Sequence, residues 1–300
     1  MSMKKLPKQL LILFGFFGLF LAFTSHAETL TVKTKTTNNN PAIFQYRVPR
    51  GYDAKRKERY RVLVFFGGRN TNGADLVKEN TSWVKWADEH GFFIIAPGFQ
   101  DDKYWDPEAW SGKALINALR ILRRRYNICT NKLLYYGYSA GSQAANLFAA
   151  WRPDLTRAWV SHACGVFHEP SSKMRGVPGL VTCGDADKAR YIISRSFVEN
   201  SRKKGVDIIW KSYPNHPHNV PTESVRLARA FLLHYHNASR SDLLPDQSTG
   251  KIGIVPKFIG DDQEGVYYPA DSPKARNILV VDRVPLPSRE IANAWGKPAK

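Results

Sequence analysis

The stretch that decides the fold runs from residue 132 to residue 142, and its sequence is Lys132-Leu-Leu-Tyr-Tyr-Gly137-Tyr-Ser139-Ala-Gly141-Ser142. Its first half is short, apolar and aromatic, which predicts a buried strand. The residues after it place apolar side chains three or four positions apart, which predicts a helix. Those apolar residues are Ala144, Leu147, Phe148 and Trp151. The serine therefore lies in a turn that leads from a strand directly into a helix.

The sequence around this serine is G-x-S-x-G, with Gly137 and Gly141 two positions before and after Ser139. A turn this sharp crowds the backbone, and glycine removes the Cβ atoms that would clash. Such a turn would hold the Ser139 hydroxyl clear of the chain, near the positive end of the following helix. A glycine-rich turn with an ordinary serine is the alternative, because small residues are common.

The first 27 residues have the pattern of a secretory signal peptide. Lys4, Lys5 and Lys8 precede an apolar run from Leu10 to Phe23, and Ser25-His-Ala27 supplies small residues for cleavage. The apolar run is short for a transmembrane helix, although an uncleaved anchor is the alternative. We therefore expect a secreted or periplasmic protein with no integral membrane association after signal cleavage.

The composition predicts a packed globular core, because 43% of the 300 residues are hydrophobic and 23% are charged. The net charge of +18 would concentrate anions near the surface. Nucleic acid is not an expected partner, since the chain carries an export signal and no motif for nucleic-acid binding. Acidic polysaccharide, anionic lipid and a merely solvated basic surface all remain open.

Three cysteines follow the signal, at Cys129, Cys164 and Cys183. An odd number leaves at least one thiol free or paired outside the chain, and the spacing matches no zinc site. Cys164 and Cys183 belong to consecutive predicted strands, which are usually adjacent in a parallel sheet. We expect these two residues to lie close together, either as a disulfide or as buried free thiols.

Strands alternate with helices along the middle of the chain, which predicts a mostly parallel sheet with helices on both faces. An antiparallel hairpin of residues 29–36 and 43–48 precedes it. The predicted strands then span residues 60–66, 92–96, 132–138, 158–161, 179–183 and 206–210, and helices span 79–90, 108–126, 189–204 and 222–236. Ligands of such sheets bind at the carboxyl ends of the strands, where the candidate residues below all lie.

The composition changes after Asn237, and the polar, turn-rich residues 239–250 suggest a boundary. We therefore divide the chain into a signal peptide (1–27), a main domain (28–238) and a C-terminal extension (239–300) that docks on the main domain. In the extension the sequence predicts strands at 252–255, 266–268 and 278–281. It also predicts a helix from Ser288 to Trp295 with Ser288 as its cap.

The serine turn, an acidic turn after a later strand and a histidine loop after the next strand resemble the α/β-hydrolase superfamily. The resemblance covers roughly Tyr60 to His236. Within the superfamily, the chain is similar to secreted esterases of the polyhydroxybutyrate depolymerase and feruloyl esterase kind. The resemblance implies an α/β-hydrolase fold with a small C-terminal extension and a Ser-His-Asp triad that needs no cofactor and no metal ion.

A serine hydroxyl needs a base to take its proton, and the base needs a carboxylate to orient it. The family often has glycine, two residues and then aspartate after the strand before last. Gly184-Asp-Ala-Asp187 has this spacing, so the resemblance implies Asp187 as the acid, with Asp185 as the runner-up. The alternative role for Asp187 is a helix N-cap, where aspartate is favoured.

Two histidines, His216 and His218, compete for the role of base. The segment His218-Asn-Val-Pro221 resembles the run from the catalytic histidine into the final helix of related esterases, and Pro217 restricts His216. The resemblance therefore implies His218. His162 and His168 are weaker rivals. The H-x-H pair could also bind a metal ion, but no third ligand lies near it in the sequence.

Acyl transfer also needs N–H donors for the oxyanion. The resemblance implies the backbone N–H groups of Ala140 and of Arg69, the latter in the loop Gly67-Gly68-Arg69. Gly67 stands where the family often has histidine, and a plain glycine turn is the alternative. Three aromatic residues after a strand end would line an acyl or sugar site or pack in the core. They are Tyr104, Trp105 and Trp110.

The sequence therefore predicts a secreted serine hydrolase that cleaves carboxylic esters through an acyl-enzyme. An ester linked to a polysaccharide or within a polyester is the expected substrate. A serine peptidase of the same fold is an alternative within the enzymes. A noncatalytic glycan-binding protein on a hydrolase scaffold is an alternative of another class. The intact order of Ser139, Asp187 and His218 favours the esterase.

Overall fold

The computed structural model describes residues 27–33, 40–99, 103–238 and 254–300. The predicted signal peptide lies outside these residues, apart from Ala27. Within the described ranges, no helix combines the length and the apolar character needed to cross a membrane.

Eight strands of the described chain form one sheet. In chain order they are β1 Ala27–Val32, β2 Ala42–Arg47, β3 Tyr60–Phe66, β4 Phe93–Pro97, β5 Ile128–Tyr138, β6 Thr156–His162, β7 Gly179–Gly184 and β8 Ile208–Tyr213. Their order across the sheet is β1-β2-β4-β3-β5-β6-β7-β8. β1 and β2 form the predicted antiparallel hairpin, and β2 joins the parallel strands through β4. The remaining neighbours are parallel, so the carboxyl ends of β3, β5, β7 and β8 meet at one edge.

Helices connect the strands and cover both faces of this sheet. They are α1 Gly73–Leu76, α2 Ser82–His90, α3 Gly112–Arg125, α4 Ala140–Trp151, α5 Lys188–Lys203 and α6 Thr222–Asn237, with a π-helical turn at Pro107–Ser111 before α3. Alternate residues of β3 enter two separate apolar cores, Val62 and Val64 on one face and Leu63 and Phe65 on the other. A strand buried on both faces is therefore continuously apolar, as its sequence predicts.

The C-terminal module, defined as residues 254–300, forms a second sheet in the order β11-β9-β10-β12. Its elements are β9 Phe258–Asp261, β10 Val266–Pro269, α7 Pro273–Asn277, β11 Arg283–Leu286, α8 Arg289–Trp295 and β12 Lys297–Pro298. The helix and its Ser288 cap are as predicted, with Ser288 Oγ accepting from the Ile291 N–H at 3.2 Å. The strand predicted at residues 266–268 is β10. Of the strand predicted at residues 252–255, residues 252 and 253 lie outside the described residues, and residues 254 and 255 form no strand.

The prediction of a strand at residues 278–281 is wrong. These residues form a tight turn, in which the N–H groups of Asp282 and Arg283 donate to the Leu279 carbonyl at 2.9 and 3.1 Å. Leu279, Val280 and Val281 are mostly exposed. Their β-branched and apolar character is typical of a strand, but the turn places no neighbouring strand beside them.

The C-terminal module packs against the edge strand β8 and against α6, through β11 and α8. Trp295 of α8 donates its indole N–H to the Trp210 carbonyl of β8 at 2.7 Å. Arg195 of α5 donates to both Asp262 and Asp282, whose carboxylate side chains are each only 6% exposed. The module therefore contributes to the apolar core on one face of the main sheet, and ion pairs with two buried carboxylates connect it to α5. The boundary at residue 238 stays a prediction.

Replacing Arg195 with alanine will destabilise the folded chain by about 3 kcal/mol, because it leaves two buried carboxylates without their shared cation. Burial already raises the pKa of Asp262, and the Arg195 charge opposes that shift. Urea unfolding measures the loss. Arg124→Ala, at an exposed position of α3, is the matched control. Equal stability of the two variants would contradict this account of the docking.

The three cysteines are all free thiols. Cys183 lies in β7, and Cys164 follows the end of the neighbouring strand β6, so the predicted adjacency of their strands is confirmed. Both are buried, and burial raises the pKa of each thiol, to about 12 for Cys183. These two cysteines therefore behave as packing residues with little thiolate.

Candidate active site

The turn between β5 and α4 is strained at Ser139, which has φ of 56° and ψ of −122°. Glycine is required on both sides of it. A Cβ atom on Gly137 would lie 2.0 Å from the Gly141 carbonyl oxygen, and one on Gly141 would lie 2.3 Å from the carbonyl oxygens of Phe66 and Gly67. The Ser139 side chain does not cap α4. The predicted turn is therefore confirmed, and the serine hydroxyl is free for another partner.

That partner is His218, whose Nε2 lies 2.9 Å from Ser139 Oγ. The other ring nitrogen, Nδ1, lies 2.7 Å from Asp187 Oδ2. An ionised carboxylate only accepts, so Nδ1 carries the proton, and Nε2 of the neutral ring accepts from the serine hydroxyl. The structure thus joins the predicted serine, histidine and aspartate in one chain of hydrogen bonds.

Asp187 is the N-cap residue of α5, yet its side chain makes no cap hydrogen bond. One carboxylate oxygen accepts from His218 and the other from Arg190 Nη1 at 3.1 Å. The Asp187 side chain is 7% exposed, and each of its carboxylate oxygens has a hydrogen-bond partner. The N-cap role that the sequence left open is therefore not the one the side chain plays.

Asp185 and His216, the runners-up, hold the loops of the site instead. Asp185 Oδ1 accepts from the Asn215 N–H at 2.6 Å. The His216 carbonyl accepts from the Ala186 N–H at 3.2 Å, and a Cβ on Gly184 would lie 2.1 Å from that oxygen. The glycine of the predicted acidic turn is therefore required because the histidine loop passes directly over it.

His162 and His168, the weaker rivals, do not contact the serine hydroxyl. His162 is fully buried at the end of β6, and burial lowers its pKa to about 4. His168 Nδ1 lies 2.7 Å from the Glu169 carbonyl. Both ring nitrogens of His218 have partners within the site, Ser139 Oγ and Asp187 Oδ2.

The loop after β3 passes beside the serine, as predicted. A Cβ on Gly68 would lie 3.7 Å from Ser139 Cβ. The Thr71 N–H closes a turn onto the Gly68 carbonyl at 3.1 Å, with Asn70 at φ of 62°. Arg69 lies within this turn, exposed to solvent. Its assignment as an oxyanion donor stays a prediction.

Solved structures provide the comparison that decides the fold. A ferulic acid esterase from the anaerobic fungus Anaeromyces mucronatus superposes with a TM-score of 0.56 at 16% identity, over 70% of this chain and 90% of the esterase. A poly(3-hydroxybutyrate) depolymerase from Bordetella parapertussis gives 0.55 at 17%, over 73% of this chain and 92% of the depolymerase. The chain has the α/β-hydrolase fold.

A fluorophosphonate-binding serine hydrolase from Staphylococcus aureus is also similar, with a TM-score of 0.55 at 12% identity, over 70% of this chain and 98% of that hydrolase. No protein-family model matches the sequence, and the comparison with curated proteins finds no match. These three structural neighbours are each under 20% identical, so they establish the α/β-hydrolase fold and leave the activity to be argued from the site.

The aromatic residues after β4 divide between the core and the surface of the domain. Trp110 is 3% exposed and packs edge-on against Phe99, so it belongs to the core. Trp105 is 36% exposed and contacts Tyr104. Burial raises the pKa of Tyr104, and the nearby Arg69 charge opposes that shift. Tyr104 is thus near Arg69 of the loop that follows β3, and Trp105 contacts Tyr104.

Sequence reasoning missed two contacts of this candidate site. Arg190 lies one helical turn after Asp187, and an i,i+3 pair at the start of a predicted helix is a signal that could have found it. Tyr138 donates its hydroxyl to the His218 carbonyl at 2.9 Å and stacks on the imidazole with a centroid distance of 5.1 Å. Nothing local in the sequence identifies a main-chain carbonyl 80 residues away.

Proposed function

We propose that this chain is a secreted serine hydrolase that cleaves carboxylic esters. The observation that carries the proposal is the continuous hydrogen-bonded chain from Ser139 Oγ through His218 to Asp187, at 2.9 and 2.7 Å. These three residue types in this order are what a serine needs to act as a nucleophile at neutral pH.

In the proposed reaction Ser139 Oγ attacks the ester carbonyl carbon while its proton moves to His218 Nε2. The tetrahedral intermediate collapses, the alcohol leaves with that proton, and an acyl group remains on the serine oxygen. Water then attacks the acyl-enzyme, with His218 taking its proton, and releases the acid and the free serine. Asp187 holds the tautomer with Nδ1 protonated and stabilises the imidazolium, and Arg190 keeps the carboxylate oriented.

Two N–H donors would stabilise the negative oxygen of each tetrahedral intermediate. Ala140 is the first residue of α4, so its N–H has no acceptor within the helix. The positive end of the α4 dipole lies at Ala140 and would add to the attraction for the negative oxygen. Arg69 would supply the second N–H, from the turn that passes beside Ser139.

The proposed substrate is an ester linked to a polysaccharide or within a polyester. Of the structural neighbours, one is named a ferulic acid esterase and another a poly(3-hydroxybutyrate) depolymerase. The exposed Trp105 beside Tyr104 offers an aromatic surface near the loop after β3. The basic composition of the chain is compatible with an anionic polymer as carrier of the ester.

A panel of p-nitrophenyl esters, peptide amides and acidic glycans tests the proposal. We expect turnover of the short-chain esters, little or none of the amides, and covalent labelling by a fluorophosphonate at the peptide containing Ser139. Amide cleavage above ester cleavage would favour a peptidase. Glycan binding without labelling or turnover would favour the noncatalytic alternative and overturn the proposal.

A further inference from the structure

Two consecutive main-chain carbonyls of the histidine loop accept hydrogen bonds from the side chains that end β5 and β6. The Tyr138 hydroxyl donates to the His218 carbonyl at 2.9 Å. His162 Nε2 lies 2.7 Å from the carbonyl of Asn219, the next residue. Both contacts act on the backbone of the loop, and neither involves the imidazole nitrogens of His218 that bond to Ser139 and Asp187.

The chemistry of the His162 contact is fixed by its partners. A carbonyl oxygen only accepts, so Nε2 carries the proton and donates to Asn219. Nδ1 then accepts, and two hydroxyls reach it, Thr182 Oγ1 at 2.6 Å and Ser224 Oγ at 2.9 Å. The ring is wholly buried and neutral at pH 7, because burial lowers its pKa. His162 is thus a donor with a single tautomer and a fixed direction.

The same two residues also hold the serine. Tyr138 directly precedes Ser139 in the chain. The His162 carbonyl accepts the Ser139 N–H at 3.0 Å, at the end of the β5–β6 ladder. Each residue therefore connects the backbone of the nucleophile with the backbone of the base, and neither side chain hydrogen-bonds to Ser139 Oγ or to the ring nitrogens of His218.

We propose that Tyr138 and His162 are positioning residues that clamp the His218 loop, through the carbonyls of residues 218 and 219, at hydrogen-bonding distance from Ser139. The inference rests on the proposed function. The clamp is needed because the His218 side chain is 33% exposed and its loop lies at the surface. A displacement of about 1 Å at a reacting group can cost about 100-fold in rate.

The variants Tyr138→Phe, His162→Leu and His162→Gln test the clamp. Phenylalanine keeps the ring stacked on His218 and removes only the hydroxyl. Leucine removes the donor to Asn219, whereas glutamine keeps an N–H at the position of Nε2. We expect kcat for ester hydrolysis to fall about 10- to 100-fold in the first two variants, with KM changed by less than about threefold. We expect His162→Gln to recover most of the loss.

Tyr267→Phe is the matched control, because it removes another tyrosine hydroxyl bond, to Asn293 in the C-terminal module. Thermal unfolding checks that each variant is folded, and Tyr138→Phe keeps the test decisive if His162→Leu does not fold. The clamp would be overturned if folded Tyr138→Phe has the wild-type kcat, or if His162→Gln is no more active than His162→Leu. In either case, hydrolysis by the wild type would leave the proposed function standing. A wild type without hydrolysis or fluorophosphonate labelling would overturn both.

Discussion

Replacing Ser139 with alanine will lower kcat for ester hydrolysis by about 10⁴- to 10⁶-fold, because the variant has no nucleophile to form the acyl-enzyme. The fold will be retained. The Ser139 side chain makes no cap hydrogen bond with α4, and its hydroxyl bonds to His218. Alanine tolerates the strained φ of 56° no worse than serine does, since both carry a Cβ atom. Initial rates on a p-nitrophenyl ester, with circular dichroism of both proteins, measure the effect.

Ser196→Ala is the matched control, at an exposed position of α5. It should turn over at the wild-type rate and be labelled by a fluorophosphonate, whereas Ser139→Ala should not be labelled. A folded Ser139→Ala variant with normal turnover would remove the serine mechanism and leave any hydrolysis to another group.

The helices and strands of the main domain were predictable because, within each element, the apolar residues follow the periodicity of a helix or form a continuous buried run. The continuous apolar run at Tyr60–Phe66 and the helical spacing before Arg125 each identify their element without reference to distant residues. The helix predicted from residue 108 begins instead with a π-helical turn at Pro107–Ser111. A Cβ on Gly112 would lie 2.5 Å from the Trp151 ring, a tertiary contact that no local pattern contains.

The C-terminal module was less predictable, since its strands are only two to four residues long. In β9, Gly260 faces the ring of Trp295, and a Cβ there would lie 2.7 Å from it. Glycine weakens a strand pattern, yet here it admits a tryptophan that caps the second sheet. Conversely, the apolar residues Leu279 to Val281 are exposed in a turn, so their composition predicted a strand that does not form.

The candidate site likewise has a part that the sequence predicts and a part that it does not. The order of serine, aspartate and histidine, and the Gly184-x-x-Asp187 spacing, lie in the sequence itself, and the structure brings these three side chains together. Several supports of the site are instead main-chain atoms. The carbonyls of His216, His218 and Asn219 fix two loops, and any residue type could have supplied them. A sequence pattern identifies side chains, whereas every residue has a main-chain carbonyl, so only the structure could identify these supports.

Replacing His218 with alanine will lower kcat about 10⁴-fold or more, close to the effect of removing the serine, because the two residues act as one unit. The prediction depends on the two nitrogens of this ring, at 2.9 Å from Ser139 Oγ and 2.7 Å from Asp187 Oδ2. The backbone of the loop keeps its hydrogen bonds from Tyr138 and His162 in the variant. The protein should therefore stay folded, with the serine hydroxyl left without a base.

His216→Ala is the matched control, in the same loop and with the same change of side chain. Its main-chain carbonyl, which accepts from Ala186 at 3.2 Å, is untouched by the substitution. We expect a loss of less than about tenfold, seen mainly in KM or in loop stability, since its ring bonds neither to the serine nor to the aspartate. Steady-state kinetics on one ester decide between the two histidines. If His216→Ala is inactive and His218→Ala turns over normally, the base has been assigned to the wrong ring, and a hydrolase with another proton path would remain.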